Sequence, residues 1–406
     1  MVRVPQGNTT RADESDIAAV HSSSPGSASM PITLANWRHS TLKGGFDVGV
    51  NGNPTVMHEP DEHTPAGVDP EVWKWLPRRS SRGTSWTLQR VMRAKGARRI
   101  SVVLPARDEE QTVGGIVAQI RRLLMEDVSL VDELIVIDSR SSDSTAAVAA
   151  SAGATVFHQD QILPDQPRMD GKGDALWKGL AASTGDIVLF VDSDLRDFTT
   201  HFIVGLLGPL LCESDVVFVK AHYLRPLMTD QVTVPGGGGR VSELVARPLI
   251  NMFWPRLAGF VQPLAGEYGG YRDVLEQIPF TTGYGVEFAM LVDLLNLVGL
   301  DALAQVDLGT RTHRHHDIEA LGRMAAQILH TASVRLQREH RGVAEAPASR
   351  WLTQFRHDTA TPVHHQLMVS DVTVEERPPL ADVRAVADLL ATAPGARSWP
   401  LENQRP

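Results

Sequence analysis

From residue 100 onward, short apolar runs alternate with stretches in which apolar residues recur every three or four positions. ISVVLP at 100–105 predicts a strand buried on both faces, and the segment after it sets Val113, Ile116, Val117, Ile120 and Leu124 on one side of a helix. ELIVID at 133–138 predicts the next strand. A helix over 144–152 stopped by Gly153, a short strand TVFH, a helix after Lys172 and the strand DIVLFVD at 186–192 follow. Strand–helix–strand order with unbroken apolar strands predicts a parallel sheet covered by helices on both faces.

Beyond residue 215 the order is more mixed. DVVFVK, EYGGY and AQVDLG read as strands; the segment from about Ser242, and GVEFAMLVDLLNLVGL at 285–300, read as helices. Residues 1–80 carry HSSSPGSASM and similar Ser-, Gly- and Pro-rich stretches without periodicity, which predicts a disordered extension. A short helix is expected from about Trp86 to Ala94. The folded domain is therefore placed at 81–336, with a nucleotide-binding half at 98–200 and an acceptor half at 201–336. Residues 337–406 form a polar tail, with one helix at 381–392, that packs on the body or serves as a dimer contact.

The chain has 406 residues, 42% hydrophobic and 21% charged, and shows no fixed-period repeat, so a soluble globular enzyme fits and a solenoid does not. Its net charge of −9 argues against general affinity for nucleic acid or an anionic membrane. Its longest apolar runs, at 187–191 and 288–292, fall far short of the roughly 18 to 20 residues a membrane helix needs. The start MVRVPQGNTT has no apolar signal core, so a cytoplasmic protein is expected. The single cysteine, Cys212, excludes an internal disulfide framework and reads as a small core residue rather than a nucleophile.

Ligands of such sheets sit beyond the carboxyl ends of the strands, which directs attention to PARDEE, DSRSSDST and DSDLRD. Asp192-Ser193-Asp194 follows an apolar strand directly. Two carboxylates one residue apart suit a hard divalent cation, Mg²⁺ or Mn²⁺, beside a nucleotide, although a solvated turn with a helix cap would use the same residues. His313, the first histidine past the strand AQVDLG, is the expected second ligand to the metal bound by Asp194. Lys172, between glycines in DGKGDALWKG, suits a charge against a diphosphate or an ordinary exposed lysine. Glu287 is the one acid in the first turn of an apolar helix; it suits sugar hydroxyls or the helix dipole. The run VPGGGGRVSELVARP at 234–248 sets bare backbone and an arginine ahead of a helix, an arrangement that suits an anion or a flexible loop.

With these motifs in order, and with QPLAGEY, GYGVE and HR after them, the chain resembles the glucosyl-3-phosphoglycerate synthases, retaining GT-A glycosyltransferases of actinobacteria, from about Trp86 to Leu336. The resemblance implies a Rossmann-like α/β fold, Mg²⁺ or Mn²⁺, and transfer of glucose from UDP-glucose to the 2-hydroxyl of D-3-phosphoglycerate. It implies that Pro105, Ala106, Glu109 and Ser139 line the uridine pocket, that Asp192 and Ser193 continue it, and that Lys172 and Arg311 face the diphosphate. Leu264, Tyr284 and Glu287 would surround the glucose. Gly239, Arg240, Val241 and Ser242 would take the acceptor phosphate. It also implies a homodimer, and front-face displacement in which the leaving diphosphate helps deprotonate the acceptor.

Four positions depart from the family pattern: Ser242 replaces a threonine, Arg107 and Asp108 replace an apolar residue and an asparagine, and His315 replaces an asparagine. Competing expectations are a GT-A enzyme that uses GDP-mannose, GDP-glucose or another small acid, a polyprenyl-phosphate sugar transferase, and a catalytically silent nucleotide-sugar binder.

Overall fold

The apolar runs become the strands of a single eight-stranded sheet in the computed structural model. In chain order the strands are β1 (Ser80–Arg82), β2 (Ile100–Ala106), β3 (Glu133–Asp138), β4 (Thr155–His158), β5 (Ile187–Phe190), β6 (Phe218–Leu224), the two-residue β7 (Leu227–Met228) and β8 (Thr233–Val234), β9 (Tyr268–Tyr271), β10 (Phe280–Thr281), β11 (Leu303–Thr310), β12 (Trp351–His357), β13 (His365–Asp371) and β14 (Glu376–Arg377). The large sheet runs β1-β11-β6-β9-β5-β2-β3-β4. All neighbours are parallel except β9, which lies antiparallel between β5 and β6. The structure describes residues 64, 68–224, 227–228, 233–234, 239–311, 317–340, 351–357 and 365–392, which belong to one compact unit.

Alternate residues of each strand enter opposite apolar layers. Val102, Leu104, Val136 and Leu189 join one layer; Val103, Ile135, Ile137 and Phe190 join the other. Two-sided burial is why these strands read as continuous apolar runs. The flanking helices are α1 (Pro70–Arg79), α2 (Leu88–Lys95), α3 (Val113–Ile120), α4 (Thr145–Ala152), α5 (Lys172–Ala182), α6 (His201–Cys212), α7 (Arg247–Phe253), α8 (Arg272–Leu275), α9 (Val286–Val298), α10 (Ile318–Arg338) and α11 (Leu380–Thr392). Gly153, at φ 102°, ends α4 as expected. Cys212 is half-buried against the core. Among the described residues no helix is long and apolar enough to cross a membrane.

Two domain boundaries differ from those expected. Residues 70–80, placed in the extension, form α1 and the first residue of β1: Asp69 caps the helix by accepting from Glu71 N at 2.8 Å, and Trp75, fully buried, donates from Nε1 to Leu303 O at 2.8 Å. The start signals, an Asp cap with Pro at the first helical position, were present but lay beside Pro- and Gly-rich sequence. The cut at 336 falls within α10, and the segment beyond it is tied to the body. β14 pairs with β10, Leu380 is buried, and Trp177 Nε1 donates to Pro378 O at 3.1 Å.

Candidate active site

Parallel strands deliver their following loops to one edge of the sheet, and the antiparallel β9 delivers its preceding loop to the same edge. Ser139 follows β3, Asp192 to Asp194 follow β5, Arg311 follows β11, and Leu264 and Glu267 precede β9. A cleft of about 900 Å³ opens there. Its wall includes Pro105, Ala106, Glu109 and Ser139, the floor residues Lys172, Asp192, Ser193, Asp194 and Arg311, and also Leu264, Tyr284 and Glu287. Gly239, Arg240, Val241 and Ser242 line the same cleft. His313 and His315, and Gly236 to Gly238 of the glycine run, lie outside the described residues.

The floor is a network of opposed charges. Lys172 Nζ meets Asp192 Oδ1 at 2.6 Å and Glu287 Oε1 at 2.9 Å. An ammonium has three donors, so one remains for a ligand, and the side chain is 24% exposed. Burial disfavours the Lys172 charge and is the largest single influence, yet Asp192 and Glu287 together outweigh it and hold the group well above the ordinary lysine value. Asp192 is likewise penalised by burial, but Lys172 and Arg311 keep its carboxyl well below the usual range. Arg311, 3% exposed, joins the rest: NH2 meets Asp192 Oδ2 at 3.1 Å and Asp194 Oδ1 at 2.9 Å, and NH1 meets Glu267 Oε1 at 2.9 Å. NH1 also donates to the Tyr223 hydroxyl at 2.6 Å, which in turn donates to Glu267 Oε2 at 2.7 Å.

Sequence reasoning did not single out Glu267 or Tyr223, nor Lys220, which donates to Ala265 O at 2.8 Å. Burial pushes Lys220 down to about 7 despite the nearby Glu287 and Glu267. The signal was a lone acid in the otherwise apolar PLAGEYGGY and a lone lysine ending DVVFVK. Leu321, Met324 and Gln327 of α10, and Asp371, Thr373 and Glu375 of the tail, complete the wall. Arg107 lines the cleft beside Pro105 and Ala106. Asp108, at φ 56°, ties that loop to the next one by accepting from Ser142 N at 2.7 Å.

The glycines around Lys172 are required by close approach. A Cβ on Gly173 would stand 1.7 Å from Thr281 O, and one on Gly171 would stand 2.4 Å from Thr282 O. Gly173→Ala is accordingly expected to cost about 3 kcal/mol or more in denaturant unfolding, and to lower activity by displacing Lys172.

The donor set suits a divalent cation. Four carboxylates (Asp192, Asp194, Glu267 and Glu287) face two cations, Lys172 and Arg311. Asp194, 39% exposed in its side chain, uses only Oδ1. Among the described residues Oδ2 of Asp194 has no partner, and no group of three or more potential ligands converges, so a cation here would need further ligands from beyond the described residues or from a bound substrate.

The model of the family described as Glycosyl transferase family 2 matches residues 101–222. A protein of Mycolicibacterium smegmatis named glucosyl-3-phosphoglycerate synthase is 45% identical over 313 residues, covering 77% of this chain and 98% of its own. The crystal structure of mannosyl-3-phosphoglycerate synthase from Rubrobacter xylanophilus superposes with a TM-score of 0.70 at 40% identity, covering 77% of this chain and 98% of that one. The Mycobacterium tuberculosis glucosyl-3-phosphoglycerate synthase, crystallised with Mn²⁺, UDP-glucose and phosphoglyceric acid, superposes with a TM-score of 0.63 at 42% identity, covering 74% and 96%.

Proposed function

The chain belongs to the glucosyl-3-phosphoglycerate synthase family, and on that premise we propose that it transfers glucose from UDP-glucose to the 2-hydroxyl of D-3-phosphoglycerate with retention of configuration, releasing UDP. The observation that carries this function is the convergence on one cleft of every described residue assigned to nucleotide, sugar and acceptor.

Pro105, Ala106, Glu109 and Ser139 hold the uridine, and Ser193, whose hydroxyl donates to Pro105 O at 2.7 Å, locks that wall to the floor. A bound Mg²⁺ or Mn²⁺ neutralises charge on the diphosphate, with Asp194 and His313 as its protein ligands. Lys172 turns its remaining N–H toward the leaving diphosphate, and stabilises it where water is largely excluded. Glu287 spends Oε1 on Lys172 and has Oε2 without a hydrogen-bond partner among the described residues, placed to accept from glucose hydroxyls beside Leu264 and Tyr284. Because the buried floor carboxylates are held by cations, none is a ready nucleophile. Front-face displacement, with the departing diphosphate accepting the acceptor's proton, is the route that fits. At the other wall Gly239, at φ 74°, turns the chain into the helical segment whose first residues, Arg240, Val241 and Ser242, receive the acceptor phosphate. The cytoplasm suits a chain with one cysteine that consumes a nucleotide sugar, and homodimerisation through the tail belongs to the same proposal.

The test is turnover of UDP-glucose with 3-phosphoglycerate, with and without EDTA, the product resolved by mass and anomeric configuration. Activity that is lost in EDTA and restored by Mn²⁺ is expected. Arg240→Ala should raise KM for 3-phosphoglycerate by about 10- to 100-fold, the loss of a charge-assisted phosphate contact, with KM for UDP-glucose little changed. Equal activity on glycerate would remove the phosphate cradle. The Rubrobacter xylanophilus neighbour, named for mannosyl transfer, favours mannose as a second sugar reading, so the same assay with GDP-mannose decides between the two hexoses.

A further inference from the structure

A buried run of hydrogen bonds leads from the tail to the nucleotide end of the cleft. Arg377, 1% exposed, donates from Nε to Asp174 Oδ1 at 2.7 Å, and Asp174 is fully enclosed in the first turn of α5. Asp174 Oδ2 accepts from Gln159 Nε2, and Gln159 Oε1 accepts from the Ser139 hydroxyl. Gln159 is itself fully buried, fixed at its carbonyl by Lys178 Nζ at 3.0 Å. Ser139 lines the cleft.

Chemistry forces the direction of this run. A carboxylate paired with a guanidinium offers only acceptors, so it draws the Gln159 amide NH₂ toward itself. The amide oxygen is then left facing Ser139, whose single proton is committed to it. The serine oxygen has only lone pairs left for whatever occupies the cleft.

We propose that Arg377 is a specificity-determining positioning residue: through Asp174 and Gln159 it fixes Ser139 as a pure hydrogen-bond acceptor, which selects a nucleobase that offers it an N–H. The inference rests on the placement of the nucleotide at Ser139 made above. Uracil carries such an N–H at N3, where cytosine carries a lone pair. Without the Arg377 guanidinium the enclosed Asp174 loses the charged partner that favours its acceptor-only carboxylate form. Only the acid form, which donates, lets the Gln159 amide turn over, so that Ser139 accepts from it while directing its own proton into the cleft. Arg377 also donates from NH2 to Pro167 O at 2.5 Å, beside Arg168 and Asp170 of the cleft wall, so a purely structural role must be separable by the test.

Binding of UDP and of CDP to the full-length chain in Mn²⁺ is measured by calorimetry for wild type, Arg377→Gln, Ser139→Ala and the double variant. Wild type is expected to prefer UDP by about tenfold or more, and Arg377→Gln to erase most of that preference. In the Ser139→Ala background, Arg377→Gln should change neither affinity by more than about twofold, since coupled residues are non-additive. An unchanged preference in Arg377→Gln, or an equal loss with and without the Ser139 hydroxyl, overturns the relay and leaves Arg377 a strut. If Arg377→Gln does not fold, Gln159→Met breaks the run while leaving the Asp174–Arg377 pair in place. It should abolish the preference in the same Ser139-dependent way, and a retained preference overturns the inference. A wild-type protein that binds no UDP overturns the nucleotide assignment and this inference together, whereas UDP binding with additive losses overturns the relay alone.

Discussion

Asp194→Ala lowers kcat by at least about a thousandfold, the scale expected when a preorganised charge contact to the transition state is removed, and leaves the melting temperature within a few degrees of wild type. The two effects separate because of where the side chain sits. Asp194 is 39% exposed and among the described residues pairs only with Arg311, and Arg311 keeps Asp192, Glu267 and Tyr223 when Asp194 is gone. Little buried charge is uncovered, so folding is nearly untouched. For the reaction the loss is large, because in the proposed assignment a hard cation on the diphosphate loses its one carboxylate ligand from the floor. Turnover at saturating UDP-glucose, together with Mn²⁺ titration by calorimetry, measures both halves. Retained turnover, or unaltered Mn²⁺ affinity in the presence of UDP, would take Asp194 out of the metal site.

What was legible in the sequence follows from which forces are local. Strands buried on both faces must be apolar throughout, so ISVVLP, ELIVID and DIVLFVD declared both the strands and the parallel sheet. The rule that ligands lie past carboxyl ends then pointed to Asp192 and to the stretch that holds Ser139, while Arg311 was implied by the family resemblance alone. The pairing of EYGGY was not legible. β9 enters antiparallel between β5 and β6, and only that placement carries Glu267 to the Arg311 guanidinium. The contribution of Asp371, Thr373 and Glu375 to the cleft was equally hidden, since hydrogen bonds such as Thr282 N to Glu375 O, 3.1 Å, join segments far apart in the chain. Arg311 is the instructive residue. Its motif implied a cation facing diphosphate, and the fold adds a duty no local pattern encodes: its charge assembles three acids and a phenol at the base of the cleft.

That added duty makes Arg311→Met the substitution with the greatest cost to stability, an expected loss of about 3–5 kcal/mol at neutral pH. Glu267 is 0% exposed, and without the guanidinium it loses the cation that meets its Oε1 at 2.9 Å. Arg311→Lys should fall between wild type and methionine, because a point charge cannot fork across Glu267, Asp192 and Asp194 at once. The pH dependence carries the sign of the cause. In wild type Asp192 is held well below its unfolded value, so its contribution is complete above about pH 4 and is lost as pH falls through the folded value. In Arg311→Met, Glu267 folds more readily when protonated, so the variant's deficit grows as pH rises through the unfolded glutamate value, about 4.3, and shrinks in acid. Adding Glu267→Gln removes the buried charge and should recover a good part of the deficit at pH 7 to 8, with little change at pH 4. Urea unfolding of the two single variants and the double across that range measures the coupling. A deficit independent of pH, or a double variant no more stable than Arg311→Met, would mean that lost packing rather than uncompensated charge is what Arg311 guards against.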